Sequence, residues 1–594
     1  MSSSSDNSFS WCNSVVIIFS KLLGGHQSKC EAFLCLVPGA GSGNEPVQLN
    51  KSRKRLLLLP CLDISPRAPK LFSPMNTQYF NSLSMSRGLR RRCTCLPVTR
   101  NSFYSTSIAT TQSLRSPTSS DAQALSALLD QGGSLLNGFA ESPDDLSIYN
   151  VDWKDEYHGK SQIVARPKTA KEVSRILSYC NSERIGVVPQ GGNTGLVGGS
   201  VPVADEVIIS TEGMNTIYNL DTDSGILTCD VGCILQDVQT YASERSHLVP
   251  IDLGAKGTCQ IGGNVATNAG GQYFYRFGSL HANVLGLEVV LADGTILDLL
   301  NTNRKDNTGY DMKHLFIGSE GTLGLITRIN LSFPRLPLSR HTALLACDNF
   351  GDVLTTLALA KKELGEILAA FEFMDRPVLK LVQKEHRIPV AHTCSGESDG
   401  LYPFYILVET QGSNEEHDAE KMSTFLEKSM EGGQVVDGVL SQDLTQVEDM
   451  WSIREHCNPA TKAAGYNWKY DISIPVSDYY DIAEEMRERI NAHCPDALVV
   501  NWGHVIDGNL HLNVATPGIF EEDKELTNII EPYLFESVVR RKGSISAEHG
   551  LGRCKNEYLG RLAKNEAALA RMKMIKNMFD PNGILNPGKY LPTK

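Results

Sequence analysis

The hydrophobic pattern divides the chain into an unpatterned leader and a long patterned remainder. From about Ala122 onward, apolar residues recur at helical spacing or in short runs bounded by turn residues. Glu172–Cys180 is amphipathic and predicts a helix, the apolar run Gly186–Pro189 predicts a strand, and Gln190–Ser200 predicts a glycine-rich loop. Further strands are expected at Val207–Ser210, Ile226–Val231 and Leu285–Leu291, the last running into the turn Ala292-Asp293-Gly294. After the proline cluster Pro334–Pro337 the pattern restarts. It predicts a helix at Val353–Leu364, a strand at Phe404–Glu409, a long helix near Asp478–Ala492 and strands within Cys494–Ala515. A last helix, Ala567–Met578, stops at Asp580-Pro581-Asn582-Gly583. Helices and short strands in alternation predict an α+β or mixed α/β core.

The leader, roughly the first 115 residues, is rich in Ser, Arg, Cys and Pro and lacks sustained periodicity. No Asp or Glu occurs from Ile64 to Ser120, while Arg87, Arg90, Arg91, Arg92, Arg100 and Arg115 recur among serines. Arg-rich, Ser-rich and acid-poor is the composition of an organelle transit peptide. A mitochondrial address is the first expectation and a plastid the second. Asp6, Glu31, Glu45 and Asp63 spoil the pattern upstream, so Met75 or Met85 would make a more conventional start.

Length and charge narrow the function classes. At 594 residues the chain has room for two to four domains. Its formal net charge of −12 argues against a nucleic-acid binder. Fifteen dispersed cysteines without a CxxC pair fit reduced thiols rather than a disulfide scaffold or a zinc ribbon. No apolar run approaches the ~20 residues that span a bilayer; Val15–Phe19 is far too short.

Two segments concentrate glycine: PQGGNTGLVGGSVP (Pro189–Pro202) and GAKGTCQIGGNVATNAGG (Gly254–Gly271). Successive amides in such turns make anion-binding nests, and two nests suit a pyrophosphate. Neither segment is a GxGxxG fingerprint or a GxxxxGK[ST] P-loop, which weakens nicotinamide-Rossmann and nucleoside-triphosphatase readings. A third segment, NWGHVIDGNLHLNV (Asn501–Val514), sets two histidines around Asp507-Gly508, a strong two-residue hairpin signal. That turn would set Ile506 opposite Asn509, Val505 opposite Leu510 and His504 opposite His511, with Asn513 on the same face. Two imidazoles would then reach one ion. Glu548-His549 is the obvious source of a third ligand, and a His2Glu set with an open position suits catalytic zinc.

These segments, together with GLEVVLADGTILD (Gly286–Asp298), RKDNTGYDMKHLFIGSEGTLG (Arg304–Gly324), KYDISIP (Lys469–Pro475), SAEHGLG (Ser546–Gly552) and ILNPGK (Ile584–Lys589), carry a resemblance. In this order they closely resemble the FAD-dependent D-2-hydroxyglutarate dehydrogenases, flavoproteins of the vanillyl-alcohol-oxidase (PCMH) type. The resemblance runs from about Tyr149 to the C-terminus and leaves out the leader. It implies an α+β fold: a PCMH-type FAD-binding domain, a cap domain on an antiparallel sheet, and a C-terminal helical segment returning to the flavin. The expected division is a targeting segment at 1–115, the FAD-binding domain at 116–335, the substrate domain with the metal hairpin at 336–549, and the returning segment at 550–594.

The resemblance also assigns roles. Pro189, Gly191, Gly192, Asn193, Thr194 and Gly195 would cradle the FAD pyrophosphate with Gly262, Gly263, Asn264, Thr267, Asn268 and Gly270. Ser319, Glu320, Gly321 and Asn586 would complete that site. Where some relatives link flavin through a histidine in the first loop, this chain has Gly191-Gly192-Asn193, so noncovalent FAD is expected. His504, His511 and Glu548 match the zinc ligands, and His549 the base. Arg454, Asn458, Lys469, Asn513 and His549 match the substrate contacts. The implied reaction is oxidation of D-2-hydroxyglutarate to 2-oxoglutarate. Zinc lowers the hydroxyl pKa, His549 takes the proton, FAD accepts the hydride, and the electrons pass to electron-transfer flavoprotein in the mitochondrial matrix. A homodimer is compatible with it.

Two departures bear on substrate preference. Asn458, followed by Pro459, stands where the family usually has Thr, and Ile506 precedes Asp507 where it usually has Gly. The alternatives are a D-lactate dehydrogenase of the same family and a flavin-binding protein without catalysis. The Arg454/Lys469 pair speaks against the first, because lactate has no distal carboxylate. The intact His504, His511, Glu548 and His549 speak against the second.

Overall fold

The computed structural model describes residues 113–390, 400–563 and 565–592, so nearly all of the leader lies outside the described residues. Arg115, counted with the leader by composition, belongs to the folded body. Its guanidinium pairs with Asp121 at 2.7 Å and with Glu183 at 2.9 Å.

Four short strands open the body: β1 (Ser134–Asn137), β2 (Ile163–Arg166), β3 (Val187–Gln190) and β4 (Val207–Ser210), in the sheet order β1-β2-β4-β3. β4 is parallel to both β2 and β3, whereas β1 is antiparallel to β2. Parallel strands need a crossover, and helix Ala170–Glu183 supplies one between β2 and β3. Thr169 caps it by accepting from the Glu172 amide, and its apolar stripe Val173, Ile176, Leu177 and Cys180 is buried. The first glycine loop leaves the carboxyl end of β3, where open α/β sheets present ligand crevices.

A second sheet holds β5 (Ile217–Asp221), β6 (Ile226–Asp230), β7 (Val284–Val290), β8 (Ile296–Leu299) and β9 (Leu325–Ser332), ordered β5-β6-β9-β7-β8 and antiparallel throughout. The second glycine segment sits between β6 and β7. It is wound around helix Ile261–Thr267, which ends on Asn268 in the left-handed conformation. The two sheets share one core.

The third sheet carries β10 (Ser339–Cys347), β11 (Leu368–Asp375), β12 (Phe404–Gly412), β13 (Asp437–Leu440), β14 (Gly465–Ser473), β15 (Leu498–His504) and β16 (Asn509–Pro517). Its order is β13-β10-β12-β11-β15-β16-β14, and every pairing is antiparallel. Ala343, Leu345 and Cys347 enter one core, while Leu344 and Ala346 enter another. Alternate side chains point to opposite faces, so the sheet is covered on both sides. Helices Phe350–Glu363 and Glu415–Glu431 pack on one face, and Leu444–Glu455 and Cys457–Ala464 on the other.

After helix Glu566–Phe579 the chain comes back to the first sheet. Val187 of β3 donates its amide to the Ile584 carbonyl and accepts from the Asn586 amide, both at 2.8 Å. The C-terminal segment thus adds its backbone to the strand that launches the first glycine loop.

Candidate functional site

A single cavity of about 600 Å³ has the two glycine loops at one end and β14, β15, β16 and the Ser546–Gly552 loop at the other. Of the expected cofactor residues, Pro189, Gly191 to Gly195, Gly262, Gly263, Asn264, Thr267, Glu320 and Gly321 line it. The loops are packed edge to edge. A Cβ on Gly192 would stand 2.0 Å from the Thr258 carbonyl oxygen, so only glycine allows this approach. At Gly195 and Gly263, by contrast, an added Cβ would meet nothing within 4 Å, which leaves backbone-lined room for a pyrophosphate. The cradle fits a flavin dinucleotide.

Four expected cofactor residues do not line the cavity: Asn268, Gly270, Ser319 and Asn586. Asn268 terminates its helix, and Gly270 lies against Glu548. Ser319 Oγ donates to the Phe316 carbonyl. Asn586 Nδ2 donates to the carbonyls of Gly199 and Glu320, bracing two loops against each other. Two of the lining residues also have their side chains committed elsewhere. Asn193 Nδ2 donates to the Ile148 and Val151 carbonyls. The Glu320 carboxylate accepts from the amides of Leu551 and Gly552 at 2.7 and 2.8 Å, tying the cofactor loop to the Ser546–Gly552 loop.

The hairpin differs from the expected one in register. β15 and β16 pair His504 with Asn509 and Trp502 with His511, across a four-residue turn at 505–508. Asp507 does not sit in a two-residue turn. Its carboxylate accepts from the Asn509 amide, a side-chain turn of its own, and Gly508 at φ +83° passes 2.4 Å (measured from a would-be Cβ) from the Ile474 carbonyl. The Tyr479 hydroxyl donates to the Asn509 carbonyl and anchors the end of the turn. The slip is two residues. A slip of one reverses the faces, whereas a slip of two restores them. His504 and His511 therefore still share a face, diagonally, with ring centroids 5.4 Å apart.

The donor set fits a metal ion. Ligand atoms of His504, His511 and Glu548 all lie within 4.8 Å of one another, and all three residues line the cavity. His504 Nε2 is 3.8 Å from Glu548 Oε1. That is too far for a hydrogen bond, but near the separation of two atoms each about 2.1 Å from one tetrahedral ion.

His504 is oriented by a carboxylate that the sequence left unassigned, and a second such carboxylate lies close to His511. Glu372, buried in β11, contacts His504 Nδ1 at 2.6 Å and accepts from Arg454 Nε at 2.8 Å. Asp471, buried in β14, lies 3.6 Å from His511 Nδ1. A carboxylate on one ring nitrogen fixes the tautomer and turns the other toward a metal. Burial works to lower the His504 pKa, but Glu372 overrides it and raises the value to about 9. Burial holds His511 well below the ordinary histidine range. With its other oxygen Asp471 accepts three consecutive backbone amides, Ala547 at 3.1 Å, Glu548 at 2.7 Å and His549 at 2.9 Å. Burial of Asp471 is outweighed by His549, Lys555 and His511, which keep it ionised. The His549 ring stacks on His511 at 5.7 Å and is half-buried at the cavity wall.

Arg454, Asn458, Lys469 and Asn513 also line this end. Lys469 pairs across the strands with Asn513 and donates to Asn458 Oδ1. Its ammonium is buried. Burial first, then the nearby Lys154 and Lys462, push its pKa down to about 7. Asn513 Oδ1 is buried without a hydrogen-bond partner among the described residues, so it remains open to a ligand. Trp153, from the segment before β2, completes the wall and was not foreseen.

Two family models match. The FAD binding domain covers residues 161–300, and the C-terminal domain of FAD linked oxidases covers 336–590. A probable mitochondrial D-2-hydroxyglutarate dehydrogenase of Oryza sativa subsp. indica is 50% identical over 461 residues, 77% of this chain and 80% of that one. The mitochondrial D-2-hydroxyglutarate dehydrogenase of Danio rerio is 50% identical over 452 residues, 76% of this chain and 82% of that one. Among solved structures, p-cresol methylhydroxylase with bound substrate superposes with a TM-score of 0.62 at 14% identity, covering 80% of this chain and 96% of the other. That likeness concerns the fold.

Proposed function

The chain belongs to the FAD-dependent D-2-hydroxyglutarate dehydrogenase family of FAD-linked oxidases, and from that premise we propose that it oxidises D-2-hydroxyglutarate to 2-oxoglutarate with noncovalent FAD and one zinc ion. One observation carries the reading: a single cavity joins the flavin cradle to a His2Glu set, a further imidazole and two cations.

When bound, FAD takes up the two electrons released at C2, and zinc withdraws charge from the substrate's hydroxyl and C1 carboxylate. The chain's own residues do the rest. His549 takes the hydroxyl proton, since a neutral imidazole is a base near working pH. Asp471 fixes the backbone on which His549 and Glu548 stand. Arg454 keeps its terminal nitrogens for the distal carboxylate, because its Nε is spent on Glu372. Lys469 meets the same carboxylate, and a bound anion restores the charge that burial takes from it. Asn458 holds the Lys469 ammonium, the place the sequence left in doubt.

The basic, acid-poor leader and the mitochondrial relatives support a mitochondrial location, with electron-transfer flavoprotein as the acceptor that the resemblance implies. The proposed division is a leader to 115, a flavin domain to 335, a substrate domain to 549 and the returning segment beyond.

Lys469→Met tests the substrate. A charge-assisted hydrogen bond is worth roughly 1.5–3 kcal/mol, so kcat/KM for D-2-hydroxyglutarate should fall on the order of 10–100-fold. D-Lactate, which has no distal carboxylate, should lose little. Equal losses would turn the reading toward the D-lactate alternative.

The flavin should be released on acid precipitation, because the first loop offers no linking histidine and the Asn193 amide is spent on the scaffold. Yellow colour remaining in the pellet would contradict noncovalent binding.

A further inference from the structure

Trp153 stands in a short loop closed by the bridge between Val151 and His158. The loop is rigidly made: buried Asp152 accepts from the amides of Lys154, Glu156 and Tyr157 at 3.3, 2.7 and 2.8 Å. Asx-type bonding of this density fixes the backbone that carries Trp153. Trp153 nevertheless leaves 45% of its surface exposed, and it lines the cavity. Its ring centroid is 4.1 Å from Lys462 Nζ and 5.2 Å from Lys469 Nζ, and its carbonyl accepts from Lys462 Nζ at 3.3 Å.

The two lysines belong to the other half of the molecule, Lys462 to helix Cys457–Ala464 and Lys469 to β14. Their recorded hydrogen-bond partners are neutral: Trp153 for Lys462 and Asn458 for Lys469. The acid nearest in the loop, Glu156, is paired with Lys154 at 2.5 Å. An indole face attracts both ammoniums and eases their repulsion. Among the described residues neither cation is hydrogen-bonded to a carboxylate, which leaves room for an anion at this end.

We propose that Trp153 is a specificity-determining residue: held against Lys462 and Lys469, its indole walls the end of the cavity that receives an anionic substrate tail and selects 2-hydroxy dicarboxylates over 2-hydroxy acids that lack a distal carboxylate. The proposal rests on the substrate reading given above. The indole keeps water from the Lys469 ammonium, and charge pairs weaken as the local dielectric rises. Lys462 touches Trp153 rather than the cavity, so it is a positioning residue.

The test uses the flavin- and zinc-loaded enzyme with D-2-hydroxyglutarate and D-lactate. Trp153→Ala should raise KM for D-2-hydroxyglutarate about tenfold and change kcat much less, because the indole meets the tail and not C2. Its selectivity for the dicarboxylate should fall by the same factor. Trp153→Phe should retain most of the selectivity, and Lys462→Met should lose about threefold. Flavin and metal content measured on each variant separate these effects from misfolding. If Trp153→Ala does not fold, the Phe and Lys462→Met variants still decide. Selectivity unchanged in the Trp153 and Lys462 variants while Lys469→Met shifts it would overturn the role of Trp153 alone. Selectivity unchanged in Lys469→Met as well would overturn the distal-carboxylate reading and this proposal with it.

Discussion

His549→Ala should lower kcat about 10²–10⁴-fold, the range expected for losing a positioned base, with every 2-hydroxy acid the enzyme accepts. The effect follows from where His549 sits. Its ring lies at the cavity wall, stacked on His511, and its backbone amide is held by Asp471. In the proposed role the residue meets the hydroxyl common to all these substrates, so the dicarboxylate and D-lactate should suffer alike. Flavin should stay bound, and so should a metal held by His504, His511 and Glu548; loss of the metal would instead point to the second candidate set, Asp471, His511 and His549. Stopped-flow flavin reduction would measure the step directly, and unchanged reduction would remove His549 from the role of base.

His511→Ala should abolish activity by removing the metal while FAD stays bound. The other members of the set cannot compensate: Glu548 also accepts from the Gly271 amide at 2.8 Å, and His504 is tied to Glu372. Glu372→Gln gives the graded version. Losing the carboxylate behind a ligating histidine costs about 10–100-fold in metal affinity. Metal analysis after dialysis against a chelator would therefore rank wild type above Glu372→Gln, and Glu372→Gln above His511→Ala. One ion per chain surviving in His511→Ala would rule out the hairpin site.

The sequence disclosed the site more fully than the sheet that carries it. Strands next to turn signals were legible, and β4 runs from Val207 to Ser210 as expected. β10, β11, β13 and β14 of that sheet were missed. Ser339–Cys347 and Leu368–Asp375 are buried on both faces, so they show no alternation to read. The same burial hid Glu372, although a carboxylate inside the run Leu-Ala-Ala-Phe-Glu-Phe-Met is itself a signal, because a buried charge needs a partner. Asp471 stood in the open within a quoted motif. Only the fold shows that its carboxylate collects three amides from residues more than seventy positions away. The hairpin register failed because Asp507 reads as a tight turn in sequence, while the Tyr479 hydroxyl and the Ile474 backbone hold a longer one in place. The ligand faces survived because the error was an even number.

The loop from Ser546 to Gly552 hangs from two supports, Asp471 of β14 on its first half and Glu320, in the turn before β9, on its second. The placing of Glu548 and His549 thus depends on both supports at once. During synthesis the ribosome emits this loop after both of its supports. The Ile584–Asn586 segment that joins β3 and braces the first glycine loop against Glu320 follows later still, so both ends of the cavity are completed by segments made after the sheets that carry them.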